Sequence, residues 1–470
     1  MFLAILTLEP LNPFIMDLYE PICKHIVIPL WAAWERSPYL NHLKYLEKSQ
    51  YFSEERIKEI QWGKIKELLD HAYKKCAFYR NKFDEARIRP EDIRSFDDYL
   101  SVPILRKEDV HQYKDELVAS NVDQYAAFLT SGSTGKPLTG YRNKDCNEFK
   151  RACGMRSNFW TGYDLGERIY CLYGNPEKEL KGLRNIRAQF RRKMLQRTEI
   201  LDLLQLTDES MLKFAKRMNK KPPSLLWGHA HGLYLFARFL EEKGIHGIQP
   251  KGIYSAGMVL HDFEKKKVQD VFQCKIQDRY GCEELGLIAT ECKEQQGLHI
   301  NTDDHYVEFL DNDGKPVVPG KRGIIIVTDL SNLAMPFIRY RIEDIGIPSE
   351  KKCTCGRTQP LIEKIEGRIA DFLVSPEGKL VSGISLTDHF AGHIPGVAQI
   401  QIVQERIDLL TLNIVKNGDF GERTTQVISH LIREFFGEKM RYRYELMDQI
   451  PQTSSGKYRF TICKVEHEYF

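Results

Sequence analysis

No run of about 20 uncharged apolar residues, the length a helix needs to cross a bilayer, occurs in this chain, although it opens on the apolar segment MFLAILTLEPLNPFIMDLYEPICKHIVIPLWAAW. That segment also lacks the basic start of a secretory leader, and it contains Asp17, Glu20, Lys24 and four prolines. A segment packed on the protein body is expected, with Trp31 and Trp34 resting on a membrane surface as the alternative. An excess of one charge is missing too: 68 Lys and Arg face 65 Asp and Glu, for a net +3. This excludes a strongly basic nucleic-acid binder and a disordered polyelectrolyte, and it favours a small-molecule partner. The eleven cysteines lack the spacing of a disulfide framework, and most lie in apolar surroundings. Reduced thiols in a cytoplasmic setting are the expectation, membrane-peripheral if the N-terminus docks. No internal repeat or low-complexity tract is visible.

What is present is enough chain, 470 residues, for two or three domains. Helical spacing runs from about Asn41 to Phe83, with Ile57, Ile60, Trp62, Ile65, Leu68, Leu69 and Ala72 on one stripe. Beyond it, short apolar runs (YAAFLT, RIYCLYG, SLLWGHA, GIYSAG, CKIQDRYG) alternate with amphipathic helices, which predicts an α/β region of largely parallel strands. HYVEFLDNDGKPVVPGKRGIIIVTDL and DFLVSPEGKLVSG read as antiparallel hairpins. The last hundred residues, with a helix from about Glu422 to Phe436 and a YRYELM strand, read as a small α+β unit beginning near Arg368–Phe372. The basic run Lys181 to Arg197 reads as a solvated helix face or as a patch for RNA, an anionic membrane or the phosphates of coenzyme A.

Thr130, Ser131, Gly132, Ser133, Thr134, Gly135 and Lys136 are consecutive. Glycines let a backbone close on an anion, hydroxyls add donors and the lysine adds charge, although the spacing is not that of the nucleotide P-loop. Alone, this is equally a surface turn. Pro137 argues for a loop between two strands. It is followed in order by DRYGCEELG, AMPFIRYRIEDIG, IEGRIADF and PQTSSGKYRF. With these five motifs the chain resembles the adenylate-forming superfamily of acyl-CoA synthetases, luciferases and adenylation domains. The nearest likeness is to its phenylacetate-CoA ligase branch, including the capsule-cluster homologues.

The resemblance implies an α/β fold: a large N-terminal domain of mixed β-sheets layered with helices (1–368, with 1–50 an apolar helical extension), a hinge at 369–372, and a small mobile C-terminal α+β domain (373–470). It implies that ATP activates a carboxylic acid, aryl or otherwise apolar, as an acyl-adenylate with release of pyrophosphate, and that a thiol, most simply coenzyme A, then takes the acyl group. Thr130 to Lys136 would hold the β- and γ-phosphates and Glu284 would bind Mg²⁺. Tyr280 and Gly281, with Ser255, Ala256 and Gly257, would wall the adenine. Asp344 would accept from the ribose hydroxyls and Arg368 would reach ribose or phosphate. Lys457, delivered by domain movement, would sit between the incoming carboxylate and the α-phosphate.

Two positions depart from the family pattern: Glu283 stands where a hydroxyl is usual, and Ala370 stands where relatives carry the first hinge carboxylate, leaving Asp371. They keep open an adenylyltransferase or amide-forming ligase that bypasses coenzyme A; the apolar N-terminus and the basic run Lys181 to Arg197 leave a non-enzymatic nucleotide-binding scaffold at the membrane surface as a minor alternative. Cys292 and His299, with the C-x-C pair Cys353 and Cys355, are four ligands suited to a closed, structural Zn²⁺ site. Some members of the resembled branch carry such a set, and free thiols on two loops are the alternative.

Overall fold

The computed structural model describes residues 17–470 except 122–124, 130–137, 175–187, 204–205, 369–371, 382, 384–385, 387–389, 391–393, 419, 452–458 and 466–470. The chain forms two compact units. One comprises Met1–Arg36, Asn158–Ala256 and Glu264–Gln277; the other comprises Ser37–Ser157, Gly257–Phe263 and Asp278–Phe470.

Strands β1 (Tyr125–Leu129) and β2 (Thr139–Asn143) are an antiparallel pair of the second unit, in register from Tyr125↔Asn143 to Leu129↔Thr139. The YAAFLT run, expected among parallel strands, is thus one arm of a hairpin. Its local pattern could not reveal direction, because a short apolar run reads alike in either kind of sheet.

In the first unit, β3 (Ile169–Tyr173), β4 (Thr198–Asp202), β5 (Leu225–Gly228) and β6 (Gly252–Ala256) run parallel in the order β4-β3-β5-β6. The amphipathic helices Asp208–Lys220 and Ala230–Glu242 lie between them in sequence. Leu225, Leu226, Ile253 and Tyr254 are fully buried, as expected of strands covered on both faces. The N-terminal helical segment from Tyr19 to Trp34 contains a π-turn at Cys23–Val27 and is anchored by Asp17, whose carboxylate accepts from Arg168 and Arg197.

The second unit opens with three helices, Tyr39–Ser49, Glu54–Lys75 and Ala77–Ala86, across the stretch expected to be helical from about Asn41 to Phe83. Ser53 breaks it by turning extended and capping the second helix, its Oγ accepting from the Arg56 N–H at 3.3 Å. Cys76 is extended as well. Ile57, Ile65, Leu68, Leu69 and Ala72 are buried along the predicted stripe.

Strands β7 (Ile276–Cys282), β8 (Gly286–Glu291), β9 (Leu298–Ile300), β10 (His305–Leu310), β11 (Gly323–Asp329), β12 (Tyr340–Ser349) and β13 (Leu361–Arg368) are antiparallel throughout, in the order β10-β11-β12-β13-β9-β8-β7. The predicted hairpin HYVEFL to IIIVTDL is β10–β11. Nearer the C-terminus, β14 (Leu373–Val374) and β15 (Leu380–Val381) form the second predicted hairpin. Strands β16 (Val397–Arg406), β17 (Leu409–Lys416), β18 (Arg441–Leu446) and β19 (Thr461–Cys463) form a sheet in the order β18-β17-β16-β19. Helix Glu422–Phe436 presents Ile428, Ile432 and Phe436 at helical spacing to an apolar core shared with Ile400, Ile402, Leu410 and Leu412. Among the described residues no helix is long and apolar enough to cross a membrane.

Candidate active site

Thr130 to Lys136, Lys457 and the hinge residues Ala370 and Asp371 lie outside the described residues. The arms of the first loop do not: Leu129 and Thr139 pair across it, so it joins two hydrogen-bonded strands as expected. Phe128 is buried on β1, and its ring fills the place a side chain at Gly140 would need, 2.1 Å from a built Cβ. The Arg142 guanidinium lies 4.3 Å from the centroid of the same ring and donates to the backbone carbonyl of Glu283.

That carbonyl belongs to the DRYGCEELG motif, which forms the β7–β8 hairpin. Gly281 is required for its closure, since a Cβ there would sit 2.2 Å from the carbonyl oxygen of Gly286. Glu284, at the tip, is 8% exposed, and its Oε1 accepts from the Tyr340 hydroxyl at 3.4 Å. Burial, then the Glu284 carboxylate, pushes the Tyr340 phenol above its ordinary pKa, so it stays a donor. Tyr280 donates through its hydroxyl to Asp344 Oδ2 at 2.7 Å. Tyr280 of the predicted adenine wall and the predicted ribose acceptor Asp344 are therefore neighbours. Asp344 is also the Cα partner of Arg368 across β12 and β13, which brings the RYRIED and EGR motifs into register. Glu283 is exposed. In the first unit, Ser255 is fully buried at the end of β6 and is followed by Ala256; Gly257, the first residue of the next segment of the second unit, has φ 75°. Tyr173 and Trp227, 5.6 Å apart between ring centroids, lie towards the carboxyl ends of β3 and β5, the end at which parallel sheets bind ligands.

Sequence reasoning passed over several residues at the motifs. Arg339, a neighbour of Tyr340, holds Glu308 with both carboxylate oxygens engaged, at 3.1 and 3.0 Å, and donates to the carbonyls of Leu100 and Val102. Lys150, on helix Lys144–Phe159, lies 2.8 Å from Asp304 and 3.0 Å from Asp329 and donates to the carbonyl of Leu285 at 2.7 Å. Burial opposes the charge on Lys150, but the two carboxylates outweigh it and hold the ammonium above its usual pKa. Asp304, His305 and Asp329 converge as metal ligands would; here Lys150 is the cation. A lone lysine in mid-helix leaves no signal in a single sequence.

The four predicted zinc ligands do come together. Cys292, His299, Cys353 and Cys355 present atoms all within 4.8 Å of one another. Cys292 Sγ and Cys353 Sγ are 3.5 Å apart, and Cys355 Sγ is 3.4 Å from His299 Nε2. Burial, reinforced by Arg357, lowers the His299 pKa to about 4, so the imidazole is neutral as a ligand must be. Burial works against a Cys355 thiolate, yet hydrogen bonds from Arg357 bring its pKa below the usual thiol value. This donor set fits tetrahedral zinc.

Comparison with known proteins extends these observations. Residues 373–464 match the CapK C-terminal domain family. Protein CapK of Staphylococcus aureus is 22% identical over 87% of this chain and 89% of its own length. The phenylacetate-coenzyme A ligases of Thermus thermophilus and Escherichia coli are 25% and 26% identical over 71% and 70% of this chain and 75% of their own. A crystal structure of 2-hydroxyisobutyryl-CoA ligase in the postadenylation state, in complex with 2-HIB-AMP, superposes with a TM-score of 0.70 at 18% identity, covering 89% of this chain and 93% of that one, and so shares its fold. The ordered motifs, the fold and these relatives place the chain in the adenylate-forming superfamily, on the phenylacetate-CoA ligase-like branch that includes CapK.

Proposed function

We propose that the protein is an AMP-forming acid–thiol ligase. A carboxylate oxygen of the acid attacks the α-phosphorus of ATP, and the bond to the bridging oxygen breaks to release pyrophosphate. A thiol, that of coenzyme A, then attacks the acyl carbon, AMP departs and the thiol proton passes to solvent. The acid is aryl or otherwise apolar, a choice supported by the phenylacetate-specific names of the relatives and by the aromatic pair Tyr173 and Trp227.

One observation carries this reading: Glu284 and Asp344 each receive a tyrosine hydroxyl, from Tyr340 and Tyr280 respectively, on the antiparallel sheet of the second unit. Asp344 takes the ribose hydroxyls, with Arg368 beside it in register. Tyr280 and Gly281 receive adenine, and Thr130 to Lys136 hold the outer phosphates. Glu284 offers a hard carboxylate oxygen to Mg²⁺, which supplies positive charge against the phosphates when bound. Lys457 offsets the repulsion between the acid and the α-phosphate, carried in by 373–470 turning about 369–372. The zinc set serves structure alone.

The test is acid-dependent exchange of pyrophosphate into ATP across a panel of carboxylic acids. Lys457→Ala should abolish exchange while leaving the melting temperature unchanged; undiminished exchange refutes the assignment. Because Glu283 is exposed and replaces a hydroxyl, an amine acceptor is the second reading. Offering coenzyme A and amines in parallel separates the two by which product forms.

The N-terminal segment supports contact with an anionic bilayer surface. Leu18, Ile22, Ile26, Leu30 and Trp34 recur every four residues and are 45–72% exposed, and the basic π-turn Arg191–Leu195 accepts hydrogen bonds from Tyr19 and Cys23. Co-sedimentation with anionic but not neutral vesicles, lost in Ile22→Glu/Leu30→Glu, is expected; no vesicle binding by the native protein rejects this contact.

A further inference from the structure

The peptide groups on either side of Glu284 are both held by side chains from outside the hairpin. The carbonyl before it, that of Glu283, accepts from Arg142. The carbonyl after it, that of Leu285, accepts from Lys150 Nζ at 2.7 Å and lies 3.0 Å from His305 Nε2, which must be the protonated nitrogen because a carbonyl can only accept.

These side chains are themselves tightly constrained. Lys150 donates to the Leu285 carbonyl and to Asp304 and forms an ion pair with Asp329 at 3.0 Å, the two carboxylate side chains being 1% and 0% exposed. Ser331 Oγ donates to Asp304 Oδ1 at 2.6 Å and fixes that carboxylate in turn. Arg142 belongs to β2, the strand that leaves the Thr130 to Lys136 loop, and it is stacked on Phe128 of β1, the strand that enters it. A carboxylate that must share one cation with the phosphates held by that loop has to be fixed relative to the loop.

We propose that Arg142, Lys150 and His305 are positioning residues that bracket Glu284, setting its carboxylate at a fixed place relative to the phosphate-loop hairpin for joint cation binding. The inference rests on the proposed role of Glu284. A purely structural network would be felt in the melting temperature; a bracket is felt in the metal dependence.

The experiment measures the Mg²⁺ concentration giving half-maximal pyrophosphate exchange, at saturating ATP and acid, in the full chain and in Arg142→Gln, Lys150→Arg and Lys150→Met. Loss of outer partners of a metal ligand weakens metal affinity about 10- to 100-fold. Arg142→Gln should therefore raise the Mg²⁺ requirement about tenfold with the KM for the acid unchanged, and Lys150→Arg, which keeps the cation, should raise it less. Lys150→Met leaves two carboxylates without a cation and is interpreted only with its melting temperature in hand. Native Mg²⁺ dependence in folded Arg142→Gln and Lys150→Arg overturns the bracket. If the native protein shows no acid-dependent exchange, the functional reading fails instead, and Mg²⁺-dependent ATP binding by calorimetry tests the bracket alone. A weakened metal dependence in the same variants then supports it, and equal dependence rejects it.

Discussion

Replacing Cys355 with Ser probes whether the Cys292, His299, Cys353 and Cys355 cluster holds zinc. With Zn–S about 2.3 Å and Zn–N about 2.0–2.1 Å, a tetrahedral centre needs sulfur–sulfur edges of about 3.8 Å and sulfur–nitrogen edges of about 3.6 Å. The corresponding separations are 3.5 Å for Cys292 to Cys353 and 3.4 Å for Cys355 to His299. Ligand movements of a few tenths of an ångström therefore suffice to seat the ion. The centre would tie the Cys353–Cys355 loop to β9 through His299 and to the residue after β8 through Cys292. An ion that binds only the folded state, at a free concentration a thousand times its Kd, stabilises by about 4 kcal/mol. At about 2 °C per kcal/mol for a large folding unit, this corresponds to a fall of about 8 °C in melting temperature on removal. Elemental analysis of the purified native protein should give one zinc per chain; a strong chelator or Cys355→Ser should remove it and lower the melting temperature by that order. Exchange activity per folded molecule should survive at low temperature, because four protein ligands leave no open position for substrate. Protein grown in zinc-supplemented medium that carries no zinc above background, with a melting temperature indifferent to chelator, would refute the reasoning.

Three further outcomes follow from the geometry. Gly281→Ala places a methyl 2.2 Å from the Gly286 carbonyl oxygen; the strands must part, with a loss of about 1–3 kcal/mol and about 100-fold in exchange rate from a displacement near 1 Å, read by thermal melting and initial rates. Arg339→Met strands Glu308, its partner at 3.0 Å in a pair with side chains 3% and 5% exposed, and should cost about 3–5 kcal/mol in urea unfolding. In protein stripped of zinc, His299 has a folded pKa of about 4 against 6.5 in its ordinary state. The unfolded chain alone binds this proton between those values, so stability falls as pH drops from 6.5 towards 4. The gap of about 2.5, at about 1.4 kcal/mol for each pH unit, sets a ceiling of about 3.5 kcal/mol. That slope should be absent in His299→Gln, and an identical pH dependence in the two proteins would reject it.

Much of the local structure was legible because it depends on neighbours in sequence. The helix Glu422–Phe436 and the hairpins β10–β11 and β14–β15 coincide with their periodicity and turn signals. The helical stretch expected from about Asn41 to Phe83 is helical in three pieces, and its first break was legible as well, since Ser53 followed by two glutamates is an N-cap signal. The direction of the YAAFLT strand was not legible, since strand direction is set by a partner elsewhere in the chain.

The amino-acid order by itself pointed to the family, because five short motifs in series are recognisable whatever their surroundings. It also singled out Cys292, His299, Cys353 and Cys355, which the fold gathers within 4.8 Å of one another, since soft donors are identifiable by residue type. Only the tertiary structure decided which groups meet: Tyr280 with Asp344, Cys292 with Cys353, and a mid-helix lysine with two distant aspartates and the Leu285 carbonyl. The physical reason is that hydrogen bonds and ion pairs act over about 3 Å, whereas the residues joined here lie 61 to 179 apart along the chain.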